Sequence, residues 1–86
     1  MILTRNPALV ATEMDGEIVM MSVEKGAYYG LSGIGAQIWD ALESPRTFDY
    51  LIGILRDQFD VDENTLRSDV HAFLLDMKSE GIVTEA

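Results

Sequence analysis

A two-residue turn signal near the start of the chain constrains its fold more than any other feature. Asp15-Gly16 separates two stretches of strand-forming residues, Ala8–Met14 and Glu17–Glu24. Asp-Gly favours the type I′ turn, because both central residues of that turn need a positive φ, and this turn joins antiparallel strands. The chain therefore predicts a β-hairpin over residues 8–24.

A third strand extends the predicted hairpin. Lys25-Gly26 is a second tight turn signal, and Ala27–Ser32 follows it as a short strand. Consecutive strands joined by tight turns form an antiparallel meander. The first third of the chain is therefore predicted to be one antiparallel sheet.

The rest of the chain predicts three helices and a short tail. The first helix is capped by Ser32 and runs to about Glu43, and the second is capped by Thr47 and runs to Phe59. The third helix is capped by Asp62, covers Glu63–Glu80 and ends at Gly81. Strands followed by helices, without strand–helix alternation, predict an α+β fold. We therefore expect a three-stranded antiparallel β-meander followed by three helices, winged helix-turn-helix-like. Ile82 and Val83 of the tail should dock on the core.

Length and charge exclude several classes of protein. The 86 residues suffice for one small domain, over residues 1–86. The formal net charge is -9, which disfavours binding to nucleic acid or to an acidic membrane surface. Two interpretations of the acidity remain open: solubility, or steering towards a basic partner. The chain has no cysteine, no apolar run of membrane-spanning length and no signal-peptide pattern, so we expect a cytoplasmic protein.

The sequence offers little for catalysis or cofactor binding. The single histidine, His71, has Asp69 and Asp76 at helix spacings that do not face it, so no metal site is expected. The glycines of Gly30–Gly35 lack the complete spacing of a phosphate-binding loop. We expect no enzyme activity and no cofactor.

Binding is the function that the residues favour. Tyr28 and Tyr29 lie on opposite faces of the third strand. Two interpretations remain open: an ordinary strand with one exposed tyrosine, or an open sheet edge to which an extended peptide adds by β-augmentation. The segment carries neither the charge nor the proline that usually protects an edge.

One flank of the third helix also has two open interpretations. Its core stripe is predicted to contain Leu66, Val70, Phe73, Leu74 and Met77. A neighbouring flank, either the wall of a binding groove or a mixed surface in solvent, contains Arg67, His71, Leu75 and Lys78.

The order of these residues resembles the PqqD-like family of RiPP recognition elements, over about residues 7–84. The strand-to-helix pattern G-x-Y-x-L-S/N-x-x-G-x-x-I-W is matched by Tyr29, Leu31, Ser32, Gly35, Ile38 and Trp39. Its first glycine corresponds to Gly26, which lies one residue further from Tyr29 than the pattern requires. The C-terminal pattern D-V-x-x-F-L-x-x-M/L-x-x-x-G-I/L-V is matched by Asp69, Val70, Phe73, Leu74, Met77, Gly81, Ile82 and Val83.

The resemblance implies binding of a precursor's leader peptide, antiparallel to the third strand and beside the third helix. Within the family, the chain looks most like the stand-alone leader-binding protein of split lasso-peptide systems. A separate cysteine protease would be its partner, and a cyclase would follow. We expect peptide contacts on the strand side from Val23, Ala27, Tyr28, Tyr29, Gly30 and Leu31, and on the helix side from Arg67, His71, Leu74, Leu75 and Lys78.

Two alternative functions remain open at this point. The PQQ branch of the family implies a peptide chaperone for a radical-SAM enzyme. A winged-helix DNA-binding regulator is the other class, against which the net charge of -9 and the lack of a basic recognition helix argue.

Overall fold

The computed structural model describes residues 2–85 as six strands and three helices. The ends of the predicted 1–86 domain and the last residue of the tail lie outside the described residues. The elements are β1 (Ile2–Arg5), β2 (Leu9–Met14), β3 (Glu17–Ser22), β4 (Ala27–Leu31), α1 (Gly33–Ala41), β5 (Arg46–Thr47), α2 (Phe48–Gln58), α3 (Glu63–Ser79) and β6 (Val83–Glu85).

The predicted meander is confirmed as an antiparallel sheet of order β2-β3-β4. Asp15 and Gly16 have φ values of 54° and 82°, the positive pair that a type I′ turn needs. Met20 of β3 faces Ala11 of β2 and Tyr29 of β4 in the register. This register places Tyr29 on the inner face of the sheet, with the buried Met20, and Tyr28 on the outer face.

A second antiparallel sheet, of order β5-β1-β6, was not predicted. Its central strand pairs Leu3 with Arg46 on one side and with Glu85 on the other. Leu3 and Val83 are fully buried, and Ile82, the residue before β6, is also buried. The tail therefore docks on the core as expected, and it does so as a strand.

The helix boundaries follow the predicted caps. The Thr47 hydroxyl accepts a hydrogen bond from the Tyr50 N–H at 3.1 Å, and the Asp62 carboxylate accepts one from the Thr65 N–H at 3.2 Å. Ser32 occupies the N-cap of α1 but makes no side-chain capping bond. Gly81, with a φ of 77°, reverses the chain after α3. Within residues 2–85, no helix is both long and apolar enough to cross a bilayer.

The core lies between the inner face of the meander and the three helices. Its fully buried members include Ile38 of α1, Leu51 and Leu55 of α2, and Leu66 and Val70 of α3. Phe73 was predicted for this core, and that prediction is wrong: its side chain is 39% exposed. Phe73 lies at the margin of the buried stripe of α3 and not at its centre.

The cap of α2 provides a test of this local structure. We expect Thr47→Ala to lower the free energy of unfolding by about 1 kcal/mol, because the Tyr50 N–H loses its partner at the helix terminus. Ser32→Ala is the matched control at the α1 cap and should change stability little, since no side-chain bond is lost. Urea unfolding followed by circular dichroism measures both values. Equal losses for the two variants would contradict the assignment of the caps.

Candidate functional site

The free edge of β4 is the starting point of the candidate site. β4 pairs with β3 along one edge, and no strand within residues 2–85 pairs with its other edge. Backbone N–H and C=O groups along such an edge are available to a further strand. The edge contains neither proline nor a charged residue over Ala27–Leu31.

A cavity of about 520 Å³ lies between β4 and α3. Most of the lining is aromatic or aliphatic, with two carboxylate side chains on the helix side. The lining residues are Tyr28, Tyr29, Gly30 and Leu31 of β4, Phe73, Asp76, Met77 and Glu80 on the helix side, and Ile82. We call this cavity, together with the free edge of β4, the β4–α3 groove. An apolar cavity beside an open strand edge suits an extended peptide with an apolar anchor.

Phe73 and Leu31 bring the two walls of the groove together at the end near α1. A Cβ atom built on Gly35 would lie 3.5 Å from Cδ2 of Leu31 and 3.7 Å from Cε1 of Phe73. Both side chains therefore pack over the first turn of α1. These are ordinary van der Waals distances, so a methyl group at position 35 would touch both side chains without displacing them.

The opposite end of the groove is tied to the C-terminus of α3. The Tyr29 hydroxyl donates a hydrogen bond to the Glu80 carbonyl oxygen at 3.3 Å, and the Lys25 ammonium donates to the same oxygen at 3.4 Å. Carbonyl groups in the last turn of a helix lack intrahelical donors, so these side chains satisfy an otherwise open acceptor. The phenol of Tyr29 thereby fixes the spacing between β4 and α3.

The predicted strand-side residues are mostly brought together. Tyr28, Tyr29, Gly30 and Leu31 line the cavity, and Ala27 begins the same strand. Tyr28 is 74% exposed and projects from the outer face, so the two tyrosines do lie on opposite faces. Val23 lies in the turn between β3 and β4 and is not among the cavity residues.

Two of the predicted helix-side residues lie against α2. The Arg67 guanidinium donates to the Asp49 carboxylate at 3.0 Å and lies 3.6 Å from the Glu63 carboxylate. The hydrogen bond to Asp49 raises the pKa of Arg67. The His71 ring meets the ring of Phe48 edge-on, with 6.4 Å between centroids. Neither Arg67 nor His71 lines the cavity beside β4.

The remaining helix-side residues also lie away from the cavity. Lys78 is paired with Glu85 of β6, a contact that lowers the pKa of the Glu85 carboxyl. Leu74 is buried in the core, and Leu75 is 53% exposed. The flank that contains Arg67, His71, Leu75 and Lys78 faces away from β4, because these positions lie about half a helical turn from Phe73 and Glu80.

The helix wall of the groove is therefore a different set from the one predicted. Phe73, Asp76, Met77 and Glu80 form it, at spacings of three or four residues. The sequence carried one usable signal: a large aromatic residue at the margin of an apolar stripe, with acidic residues beside it. Periodicity gave no means of telling which flank of α3 lies beside β4.

Within the part of the chain that the structure describes, no group of three or more His, Asp or Glu side chains is arranged to hold a metal ion. The chemistry on offer is an open backbone edge, an apolar cavity and two exposed carboxylates.

Comparisons with known proteins add the family and the fold. The family model described as Coenzyme PQQ synthesis protein D (PqqD) matches residues 17–83. The solved structure of TbiB1 in complex with the TbiA(beta) leader peptide is similar, with a TM-score of 0.88, 24% identity and 96% of each chain covered. Lasso peptide synthetase B1 complexed with the leader peptide is also similar, with a TM-score of 0.74, 16% identity and coverage of 95% of this chain and 96% of that one. No curated protein matches the chain.

Proposed function

Because the chain belongs to the PqqD family, we propose that it binds the leader segment of a ribosomally synthesised precursor peptide and presents it for maturation. The leader adds as a strand to the free edge of β4 and places apolar side chains in the β4–α3 groove. The whole chain acts as one leader-binding domain. It has no catalytic activity of its own, in keeping with the family's recognition elements, which are binding proteins.

The observation that carries this proposal is the open edge of β4 beside an apolar cavity. Strand addition obtains affinity from backbone hydrogen bonds and specificity from pockets for alternate side chains. The groove supplies both in one place, with Ala27–Leu31 as the edge and the cavity of about 520 Å³ as the pocket. Two structurally similar proteins bind leader peptides, which supports the same role here.

The partner that we propose is a separate maturation protease of a lasso-peptide system, with a cyclase acting afterwards. The likeness to lasso peptide synthetase B1 supports this branch of the family. A carrier that holds both substrate and enzyme raises the effective concentration of the cleavage site without new chemistry.

Peptide titration tests where the leader binds. The probe is a synthetic copy of the leader of a lasso-peptide precursor, for example the TbiA(beta) leader that is in complex with TbiB1. We expect the largest amide shift changes in the 15N-labelled protein at Ala27–Leu31 and over Phe73–Glu80, because the peptide would contact both walls of the groove. A scrambled peptide of the same composition is the control. Shift changes centred on the Asp15-Gly16 turn or on α2, with none in the β4–α3 groove, would contradict the proposed site.

A cleavage assay tests the role of the chain as a carrier. We expect the chain alone to leave a leader-bearing precursor intact, and a lasso-peptide maturation protease to cleave that precursor severalfold faster when the chain is added. A precursor without its leader is the control, and its slow cleavage should not respond to the chain. Cleavage of the precursor by the chain alone would contradict the proposal.

A second candidate function is a peptide chaperone for a radical-SAM enzyme. It is supported by the description of the matching family model, which names coenzyme PQQ synthesis. The leader-binding step would be the same in both cases, and only the partner enzyme differs. Co-purification with a maturation protease or with a radical-SAM enzyme distinguishes the two candidate functions.

A further inference from the structure

The α3 wall of the groove is acidic. Asp76 and Glu80 line the cavity, and Asp69 lies one turn beyond Phe73 on the same side of the helix. All three carboxylate-bearing residues are exposed. A peptide in the groove therefore passes a row of negative charges in addition to the apolar pocket.

Most cations of the chain are engaged elsewhere. Arg5 stacks on Trp39, and Arg46 stacks on Tyr50. The other paired cations are Arg56 and Arg67, which contact Glu63 and Asp49, and Lys78, which contacts Glu85. Within residues 2–85, no ion pair involves Asp69, Asp76 or Glu80.

Lys25 is the cation at the end of the groove, and it is directed at the backbone. Its ammonium donates to the Glu80 carbonyl oxygen at 3.4 Å and forms no ion pair with the Glu80 carboxylate. The carboxylates of Asp76 and Glu80 thus remain available to a ligand.

We infer that the groove selects a leader with a lysine or arginine two residues C-terminal to its apolar anchor. This inference rests on the proposed function and specifies the chemistry of the leader. Opposite charge favours such a peptide over a neutral one, and an acidic residue at that position is disfavoured by repulsion from Asp76 and Glu80.

The spacing follows from the geometry of the two walls. Tyr29 lies at the C-terminal end of α3, and Leu31 lies near Phe73, so β4 runs opposite to α3. Antiparallel strand pairs are slightly more stable per residue than parallel ones, so we take the peptide to add antiparallel to β4. Such a peptide runs in the same direction as α3. Its inward-facing side chains recur about every 7 Å, whereas Asp76 and Glu80 lie about 4.5 and 10.5 Å beyond Phe73 along the helix axis. An inward residue two positions after an anchor at the level of Phe73 falls between the two carboxylates.

The expected size of the effect is moderate, because the carboxylates are exposed. Ion pairs on a surface contribute little each and are screened by salt. Two carboxylates facing one cation should change affinity about three- to tenfold at low salt. The effect should shrink when the ionic strength is raised.

A selection experiment tests the inference without knowledge of the natural leader. A library of random 15-residue peptides is displayed and selected on the full chain, and peptides that also bind the Phe73→Ala variant are discarded. We expect lysine and arginine to be enriched two positions after a large apolar residue. One selected peptide is then compared with its copy in which that basic residue is replaced by glutamine.

A charge-neutralised variant assigns the preference to the two carboxylates. In the double variant Asp76→Asn/Glu80→Gln, the basic peptide and its glutamine copy should bind equally well. The matched control, Glu43→Gln/Asp57→Asn, removes the same charge from exposed positions outside the cavity lining and should keep the three- to tenfold preference. Circular dichroism confirms that each variant is folded.

The outcomes separate this inference from the proposed function. Groove-binding peptides without enrichment of basic residues overturn the inference and leave leader binding in place. The same holds if the preference survives in Asp76→Asn/Glu80→Gln. A library that yields no groove-binding peptide overturns both.

Discussion

Trp39→Ala is expected to lower the free energy of unfolding by about 3–5 kcal/mol, enough to bring a domain of this size close to unfolding at room temperature. Trp39 is 5% exposed and belongs to the core between the helices and the inner face of the meander. Its truncation leaves a large cavity that the surrounding side chains fill only in part. The stack of the Arg5 guanidinium on the indole, 4.5 Å from the ring centroid, is lost as well.

Tyr50→Ala is the matched control for this variant. Tyr50 is exposed, and the Arg46 guanidinium stacks on its ring at 4.4 Å, so the control removes an aromatic–arginine stack without opening the core. We expect it to cost less than about 1 kcal/mol. Urea unfolding is followed by circular dichroism, because Trp39 is the only tryptophan and its fluorescence disappears with it. A loss for Trp39→Ala no larger than that for Tyr50→Ala would contradict the structural role of Trp39.

Phe73→Ala is expected to leave the protein folded and to weaken leader binding at least tenfold. The side chain is 39% exposed and lines the cavity, so its removal opens no sealed void in the core. A large aromatic side chain that contacts the ligand in a binding groove can contribute about 2 kcal/mol or more of binding free energy, which is more than tenfold in affinity. Isothermal titration with the same lasso-peptide leader measures the affinity, and circular dichroism measures the fold.

Leu75→Ala is the matched control on the other side of α3. Leu75 is also partly exposed, but it lies on the flank that faces away from β4, so its truncation should leave the affinity unchanged. If Leu75→Ala weakened leader binding and Phe73→Ala left the affinity unchanged, the binding site would be assigned to the flank of Arg67, His71 and Lys78 instead.

Turn and cap residues in the sequence predicted the turns and helix ends, because each of these depends only on residues close to it in the chain. The Asp15-Gly16 turn, the Thr47 and Asp62 caps and the Gly81 stop are each specified by one or two side chains or by a positive φ. The pairing of β2 with β3 followed from the Asp15-Gly16 turn, because a tight turn also fixes the pairing of its flanking strands. The α+β fold class was therefore accessible from the sequence.

The β5-β1-β6 sheet could not be predicted from the sequence in the same way. Its strands β5, β1 and β6 contain two to four residues each, too few to show an alternating pattern. Their pairing joins positions far apart in the chain, such as Leu3 with Glu85. No local turn specifies such a contact, and the side chains of the assembled core decide it.

The helix wall of the groove shows a second limit of sequence interpretation. A helix has two flanks beside its buried stripe, and periodicity treats them alike. The packing of α3 on the inner face of the meander brings Phe73 and Asp76 towards β4 and turns Leu75 away. The strand wall was easier to predict, because alternation alone places Tyr28 and Tyr29 on opposite faces.

The β5-β1-β6 sheet places the first and last strands of the fold next to each other. Leu3 and Glu85 are Cα partners in that sheet, so the polypeptide enters and leaves the fold side by side. The β4–α3 groove belongs to the other sheet, at the free edge of β4. A protein whose ends meet in this manner can be spliced into a surface loop of a larger enzyme with little stretching of either junction. The same architecture thus suits both a free-standing domain and a domain inserted into a larger protein.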